Sequence, residues 1–133
     1  MSRKIHCSIL TPEQSIFDGD VAFSIVQVHD GEMGFLYNHA PLISELGYGE
    51  VRLKDDDIKE SFIVEGGIVE IKNNKLIILA ESATKTEDLQ KEELEKKLQE
   101  LDNKFFEPYS KEKLVVQAEQ SKLKMKLKVL ERQ

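Results

Sequence analysis

The chain has 133 residues, 40% hydrophobic and 33% charged, with a formal net charge of −6. That balance describes a globular chain, one domain or a small domain with an appendage, and its acidity argues against non-specific nucleic-acid binding. The one cysteine, Cys7, cannot close an internal disulfide, and no apolar run approaches the ~20 residues of a membrane helix.

The chain begins with Arg3 and Lys4, but no long apolar stretch follows as it would in a secretory leader. Ile5, Cys7 and Ile9 alternate instead, which predicts a first β-strand with Cys7 turned inward. Asp18-Gly19-Asp20 reads as a turn before the alternating run Val21–Val28. From Asp30 to Leu46 come two glycines, a proline, a histidine and several apolar residues without a nucleophile and base, as expected of a structured loop that shows a shaped surface.

Further on, Val51 and Leu53 share one face and Arg52 and Lys54 the other, and Asp55-Asp56-Asp57 marks a charged turn. Phe62-Ile63-Val64 runs to Gly66-Gly67, where a bulge or tight turn between strands is expected. Ile68–Ile71 alternates again, and Asn73-Asn74 signals a hairpin before Leu76–Leu79. Many short strands with close turn signals predict an antiparallel β-sandwich over residues 1–84.

Residues 85–133 change to a helical period, which makes the class α+β, mostly β. Thr84 with Glu87 matches a capping box, and Thr86 is an equally good N-cap. Leu94, Leu98, Leu101 and Phe105 form one narrow seam, which Pro108 should end. Ser110 can cap a second helix, whose seam is Val116, Leu123, Leu127 and Leu130, widened by Ala118, Met125 and Val129. Two amphipathic helices with a short break predict a helical hairpin. The first is acidic and the second basic (−4 over residues 86–107, +4 over 110–133), although packing of the leucine seams should outweigh such exposed pairs.

Catalytic constellations are missing. No phosphate loop, dinucleotide fingerprint, nucleophile elbow or Cys/His metal spacing occurs. His29 and Asp30 are adjacent, but neighbours on a strand point to opposite faces. The three aspartates at 55–57 lack the glycine and distal glutamate of a calcium loop. No catalytic residue, metal ligand or cofactor site is predicted, and a free-standing adaptor that captures a partner helix is one function compatible with this pattern.

Three segments carry a resemblance. They are Asp30-Gly31-Glu32-Met33-Gly34-Phe35-Leu36 with His39-Ala40-Pro41-Leu42, then Gly49-Glu50-Val51-Arg52, then Phe62–Ile71 followed by Asn74 and Leu79–Ala83. In this order the chain resembles the epsilon subunits of F-type rotary ATP synthases, called delta in mitochondria. The resemblance implies a non-catalytic central-stalk subunit whose sandwich binds the gamma subunit and touches the membrane-embedded c ring. Glu32 and His39 match polar positions of the c-ring contact, and Met33 and Phe35 are expected to add apolar contacts.

The same resemblance implies a regulatory hairpin. In the family it lies folded down or extends along gamma towards the alpha and beta subunits, where it hinders ATP hydrolysis. Lys122, Lys124, Lys126, Lys128 and Arg132 are the candidates here for an acidic segment of the beta subunit. Some bacterial members bind ATP through an Ile/Leu-Asp-x-x-Arg-Ala motif. Gln90 and Glu93 replace its aspartate and arginine in this chain, so no ATP binding by that route is expected. The expected location is the cytoplasmic face of a bacterial inner membrane, held there only by the complex, with a chloroplast-encoded form as the alternative.

Overall fold

A computed structural model describes residues 3–28, 30–57, 59–104 and 110–131. His29, Phe105, Pro108 and Arg132 lie outside the described residues. The chain divides into two compact units, residues 1–85 and 86–133.

The first unit holds β1 (Ile5–Leu10), β2 (Ser15–Val21), β3 (Phe23–Val28), β4 (Gly31–Leu36), β5 (Leu42–Lys54), β6 (Lys59–Lys72) and β7 (Lys75–Lys85). They form one hydrogen-bonded ladder in the order β2-β1-β7-β6-β5-β3-β4. Neighbours pair antiparallel except β1 and β7, which run parallel from His6 opposite Lys75 to Leu10 opposite Leu79.

The ladder becomes a sandwich because three long strands turn a corner together. On β5 the inward residues are Leu42 and Leu46 before the corner, then Val51 and Leu53 after it. On β6 they are Phe62 and Val64, then Val69 and Ile71; on β7, Leu76, Ile78 and Ala80, then Ala83. An inward set with a strict period of 2 would keep one parity. Here each strand changes parity along one line, so both of its halves face a common core. A single core of Ile5, Cys7, Ile9, Val26, Phe35, Phe62 and their neighbours results. Fully burying one such side chain stabilises the fold by roughly 1.5–3 kcal/mol.

Glycine makes this corner possible. Gly67 has φ +109°, and a Cβ there would collide with the Leu79 carbonyl oxygen of the paired strand. The doublet Gly66-Gly67 therefore does not separate two strands: β6 runs through it. On the other side of β5 the register with β3 slips between Val26 and Val28, which sets Gln27 against Gly49.

The Asp18-Gly19-Asp20 turn is corrected too. These residues lie inside β2, where Asp18 stands opposite Ser8 and Asp20 opposite His6. Hydrogen bonds to those two side chains satisfy the carboxylates within the ladder. The reversal falls earlier, where the Thr11 amide donates to the Gln14 carbonyl at 2.9 Å. Asn73-Asn74 is a hairpin turn as expected, with φ of 51° and 62°.

In the second unit, α1 (Lys91–Asp102) packs against α2 (Lys111–Glu131). The capping box does not form, because β7 continues to Lys85 and Thr86–Asp88 makes a single 3-10 turn. Gln90 occupies the N-cap of α1 without a side-chain bond. The helix ends at Asp102, well before Pro108, and the Asn103 amide donates to the Gln99 carbonyl. Ser110 does cap α2: its Oγ accepts from the Lys113 amide at 3.1 Å. Leu94, Leu123 and Val129 are buried, whereas Ala118 is exposed. Gln120 on α2 donates to Asp102 at the end of α1 at 2.7 Å.

Candidate partner interface

Strand β4 places its side chains by simple alternation. Met33 and Phe35 turn inward, and Glu32 and Leu36 turn outward. Phe35 is wholly buried, so its ring belongs to the core and offers no apolar surface to a partner. Met33 is half-buried and packs on the same core. Leu36 supplies the exposed apolar side chain here, at 58% exposure. The alternation Met33-Phe35 against Glu32-Leu36 was the signal in the sequence that separates these roles.

After Leu36 the chain turns back through residues 37–41 into β5. Asn38 takes a φ of 64°, a left-handed conformation that asparagine tolerates better than most residues. The His39 amide donates to the Leu36 carbonyl at 3.1 Å, and its Nδ1 donates to the Ala40 carbonyl at 2.6 Å. The ring leans on Phe35 with centroids 5.1 Å apart. His39 thus closes the turn and anchors it to the core. Asn74, in the hairpin between β6 and β7, accepts from the Asn38 amide at 2.6 Å, so the two turns stand side by side.

Around this pinned turn lies apolar surface that periodicity alone did not single out. Tyr37 is 40% exposed and Ile43 67% exposed. Ile43 sits diagonally from Ile68, which pairs directly with Leu79, and Leu79 pairs with Leu10. Ile68 and Leu79 are also substantially exposed. A connected row of large apolar side chains on a sheet's outer face marks a binding surface more often than a solvated one.

Charge is organised beside it. Arg52 Nη2 donates to the Glu32 carboxylate at 3.1 Å, and Arg52 Nε lies 3.8 Å from Glu50. Glu50 is nearly buried and accepts from the Ser61 hydroxyl at 2.5 Å. Glu32 itself is half exposed.

The lysines of α2 do not form one patch. Their spacing of two puts successive residues on opposite sides of a helix of 3.6 residues per turn. Lys124 and Lys128 are exposed together, while Lys122 and Lys126 form a second, half-buried row. Near the start of α2, Leu114 and Val115 are exposed at 64% and 66%. At the start of α1, Gln90 and Glu93 are both exposed.

Other chemistry-bearing groups have structural places. Burial pushes the Cys7 thiol up to about 12, so it is no thiolate at neutral pH. His6 is bonded through Nδ1 to Asp20 and through Nε2 to Asp18, which raises its pKa. Among the described residues no three His, Cys, Asp or Glu side chains are grouped to hold a metal ion.

Comparison with known proteins identifies the family of the sandwich. Residues 4–86 match the family model described as ATP synthase, Delta/Epsilon chain, beta-sandwich domain. The chain is 40% identical over 79 residues to the ATP synthase epsilon chain of Alkalihalophilus pseudofirmus, a match that spans 59% of each protein. With the epsilon chain of Alkalilimnicola ehrlichii it shares 34% identity over 96% of this chain and 93% of that one. A chain in the cryo-EM structure of the Euglena gracilis mitochondrial ATP synthase OSCP/F1/c-ring assembly superposes with a TM-score of 0.73. That superposition covers 94% of this chain and 76% of the other at 21% identity, a likeness of fold.

Proposed function

Because this chain belongs to the ATP synthase delta/epsilon family, we propose that it is a non-catalytic subunit of the central stalk of an F-type synthase, where its sandwich couples the gamma subunit to the c ring. The observation that carries this reading is the turn between β4 and β5. Leu36, Tyr37 and Ile43 are exposed on a segment held by the His39 and Asn38–Asn74 bonds. Apolar side chains on a rigid turn form a contact that resists shear, which torque transfer requires. Glu32 gives the contact a directional polar bond, and the adjoining row of Ile43, Ile68 and Leu79 suits a long helix of gamma.

The helical unit acts as a brake on hydrolysis in this reading. Leu114 and Val115 offer apolar surface, and Lys124 and Lys128 offer charge to an acidic segment of the beta subunit. Among the described residues no helix is long and apolar enough to cross a membrane. The complex holds the chain at the cytoplasmic face of a bacterial inner membrane.

Titration of a purified alpha–beta–gamma complex tests both halves. The full chain should bind and slow ATP hydrolysis, and a version ending at Lys85 should bind without slowing it. Equal behaviour of the two would remove the brake from this reading. Failure of both to bind a cognate complex would remove the stalk assignment.

A further inference from the structure

The side chain that holds Glu32 comes from two strands away. Strand β4 is an edge of the ladder, paired only with β3, so its outward residues have a strand neighbour on one side only. Glu32 stands opposite Gln27 of β3, while Arg52 of β5 stands opposite Ile25. Arg52 nevertheless reaches past β3 and donates from Nη2 to Glu32 Oε2 at 3.1 Å. Its own position is constrained from behind. The Glu50 side chain is only 7% exposed and bonded to Ser61 on β6, and a carboxylate so placed needs a cation beside it. Arg52 Nε lies 3.8 Å from Glu50 Oε1, and Nη2, next along the same edge of the guanidinium, reaches Glu32 on β4.

We propose that Arg52 is a positioning residue for the rotor contact, holding the Glu32 carboxylate in one orientation towards the partner, with Glu50 and Ser61 holding Arg52. This rests on the reading of Glu32 as part of the c-ring contact. The planar guanidinium suits the role because its donors are fixed in direction: along one edge, Nη2 bonds Glu32 while Nε faces Glu50 in an ion pair. The part of this cluster that faces outward is the Glu32 carboxylate. The partner group it fits is therefore a cation or a hydrogen-bond donor. Glu32 is 53% exposed and remains accessible to such a group. A pair this exposed adds little to fold stability, so its loss should be read in binding rather than in unfolding.

The test uses the full chain carrying E32Q, R52M, R52K or E32Q with R52M. Affinity is measured for a cognate gamma–c-ring complex and, separately, for the alpha–beta–gamma complex without the ring. E32Q and R52M should each weaken binding to the ring-containing complex by roughly five- to tenfold. The double variant should be no weaker than the weaker single, and R52K should recover only part of the loss. Affinity for alpha–beta–gamma should not change, and the thermal midpoint of E32Q, which leaves the Arg52–Glu50 pair in place, should stay within about 2 °C of the parent.

If R52M binds like the parent while E32Q is weakened, Arg52 does not position Glu32 and the proposal fails. Losses that multiply in the double variant, or that appear equally without the ring, would also overturn it, because they assign Arg52 an independent or merely structural role. If E32Q itself has no effect, the reading of Glu32 as a ring contact fails instead.

Discussion

Asn38 and Asn74, thirty-six positions apart, meet across two turns: the Asn38 amide donates to Asn74 Oδ1 at 2.6 Å. Both have a left-handed backbone, with φ of 64° and 62°. With the Asn74 Nδ2 donating back to Asn38 Oδ1 at 3.5 Å, two bonds tie the loop after β4 to the hairpin before β7, and with it the proposed ring contact to the end of β6. Replacing Asn74 by glycine keeps the conformation and removes both bonds. Chemical denaturation should show a loss of about 0.5–1.5 kcal/mol for Asn74→Gly. Asn74→Ala should lose about 1 kcal/mol more, because alanine pays for the left-handed backbone as well.

The corner of the sandwich sets a second pair of expectations. A Cβ at Gly67 would collide with backbone, at a φ of +109° that other residues rarely adopt. Gly67→Ala should destabilise the sandwich by roughly 3 kcal/mol or more, or prevent folding. A Cβ at Gly49 would collide with both Cβ and Cγ of Gln27, and that Cβ is fixed to the β3 backbone, so the strands would have to shift. Gly49→Ala should also destabilise the sandwich, though less than Gly67→Ala because no left-handed backbone is involved, and Gln27→Ala, which keeps its own Cβ, should recover only the part of that loss due to Cγ. Thermal unfolding of the three variants and the Gly49–Gln27 double variant checks the order.

Much of this architecture is legible in the sequence alone. The change from a period of 2 to a helical period divides strands from helices, and Asn73-Asn74 and Ser110 announce their turn and cap by chemistry alone. The failures have a common cause. Asp18-Gly19-Asp20 has turn composition, yet His6 and Ser8 on the neighbouring strand bond both carboxylates, a partnership that only register reveals. Gly66-Gly67 fits a bulge or a tight turn between strands, because no local pattern distinguishes these from a corner shared by three strands. The parallel pairing of β1 with β7 joins segments about 70 residues apart and leaves no local trace. For Phe35 the resemblance implies a partner contact, whereas alternation with Glu32 and Leu36 turns the ring inward, and it is wholly buried. The exposed row of Ile43, Ile68 and Leu79 depends on pairing and had no signal along the chain.

Acid–base linkage at the β1–β2 edge has a defined sign. The bonds to Asp20 and then Asp18 hold the His6 imidazole above its ordinary 6.5. The Ser8 hydroxyl and then His6 hold the Asp18 carboxyl below its ordinary 3.8. A raised histidine stabilises fully below about 6.5 and loses that contribution as pH rises through its folded pKa. A depressed aspartate stabilises above about 3.8 and loses its contribution as pH falls through its folded pKa. Both contributions are present between those limits, and above the folded pKa of His6 the edge is weaker. NMR titration of the His6 ring should give a pKa above 6.5, and Asp20→Asn should lower it. A ring that titrates at 6.5 in the parent chain would contradict the two bonds.

Nucleotide binding provides a negative expectation at the helical unit. Gln90 stands at the N-cap of α1 and the exposed Glu93 in its first turn, where the related motif carries aspartate and arginine. A carboxylate at position 93 repels a phosphate rather than neutralising it. Calorimetric titration of the full chain should show no saturable binding at millimolar ATP. A clear isotherm would overturn this expectation.

Coupling through the turn after β4 is the central claim, and reconstituted membranes test it most directly. Vesicles bearing the synthase, stripped of this chain, would be supplied with the parent chain or with Leu36→Ser/Tyr37→Ser, and ATP hydrolysis and ATP-driven ion uptake measured in parallel. The predicted result is that the parent restores uptake, whereas the double variant still binds alpha–beta–gamma but restores little uptake for the ATP hydrolysed. Equal uptake per ATP with both chains would contradict the assignment of that turn to the rotor contact.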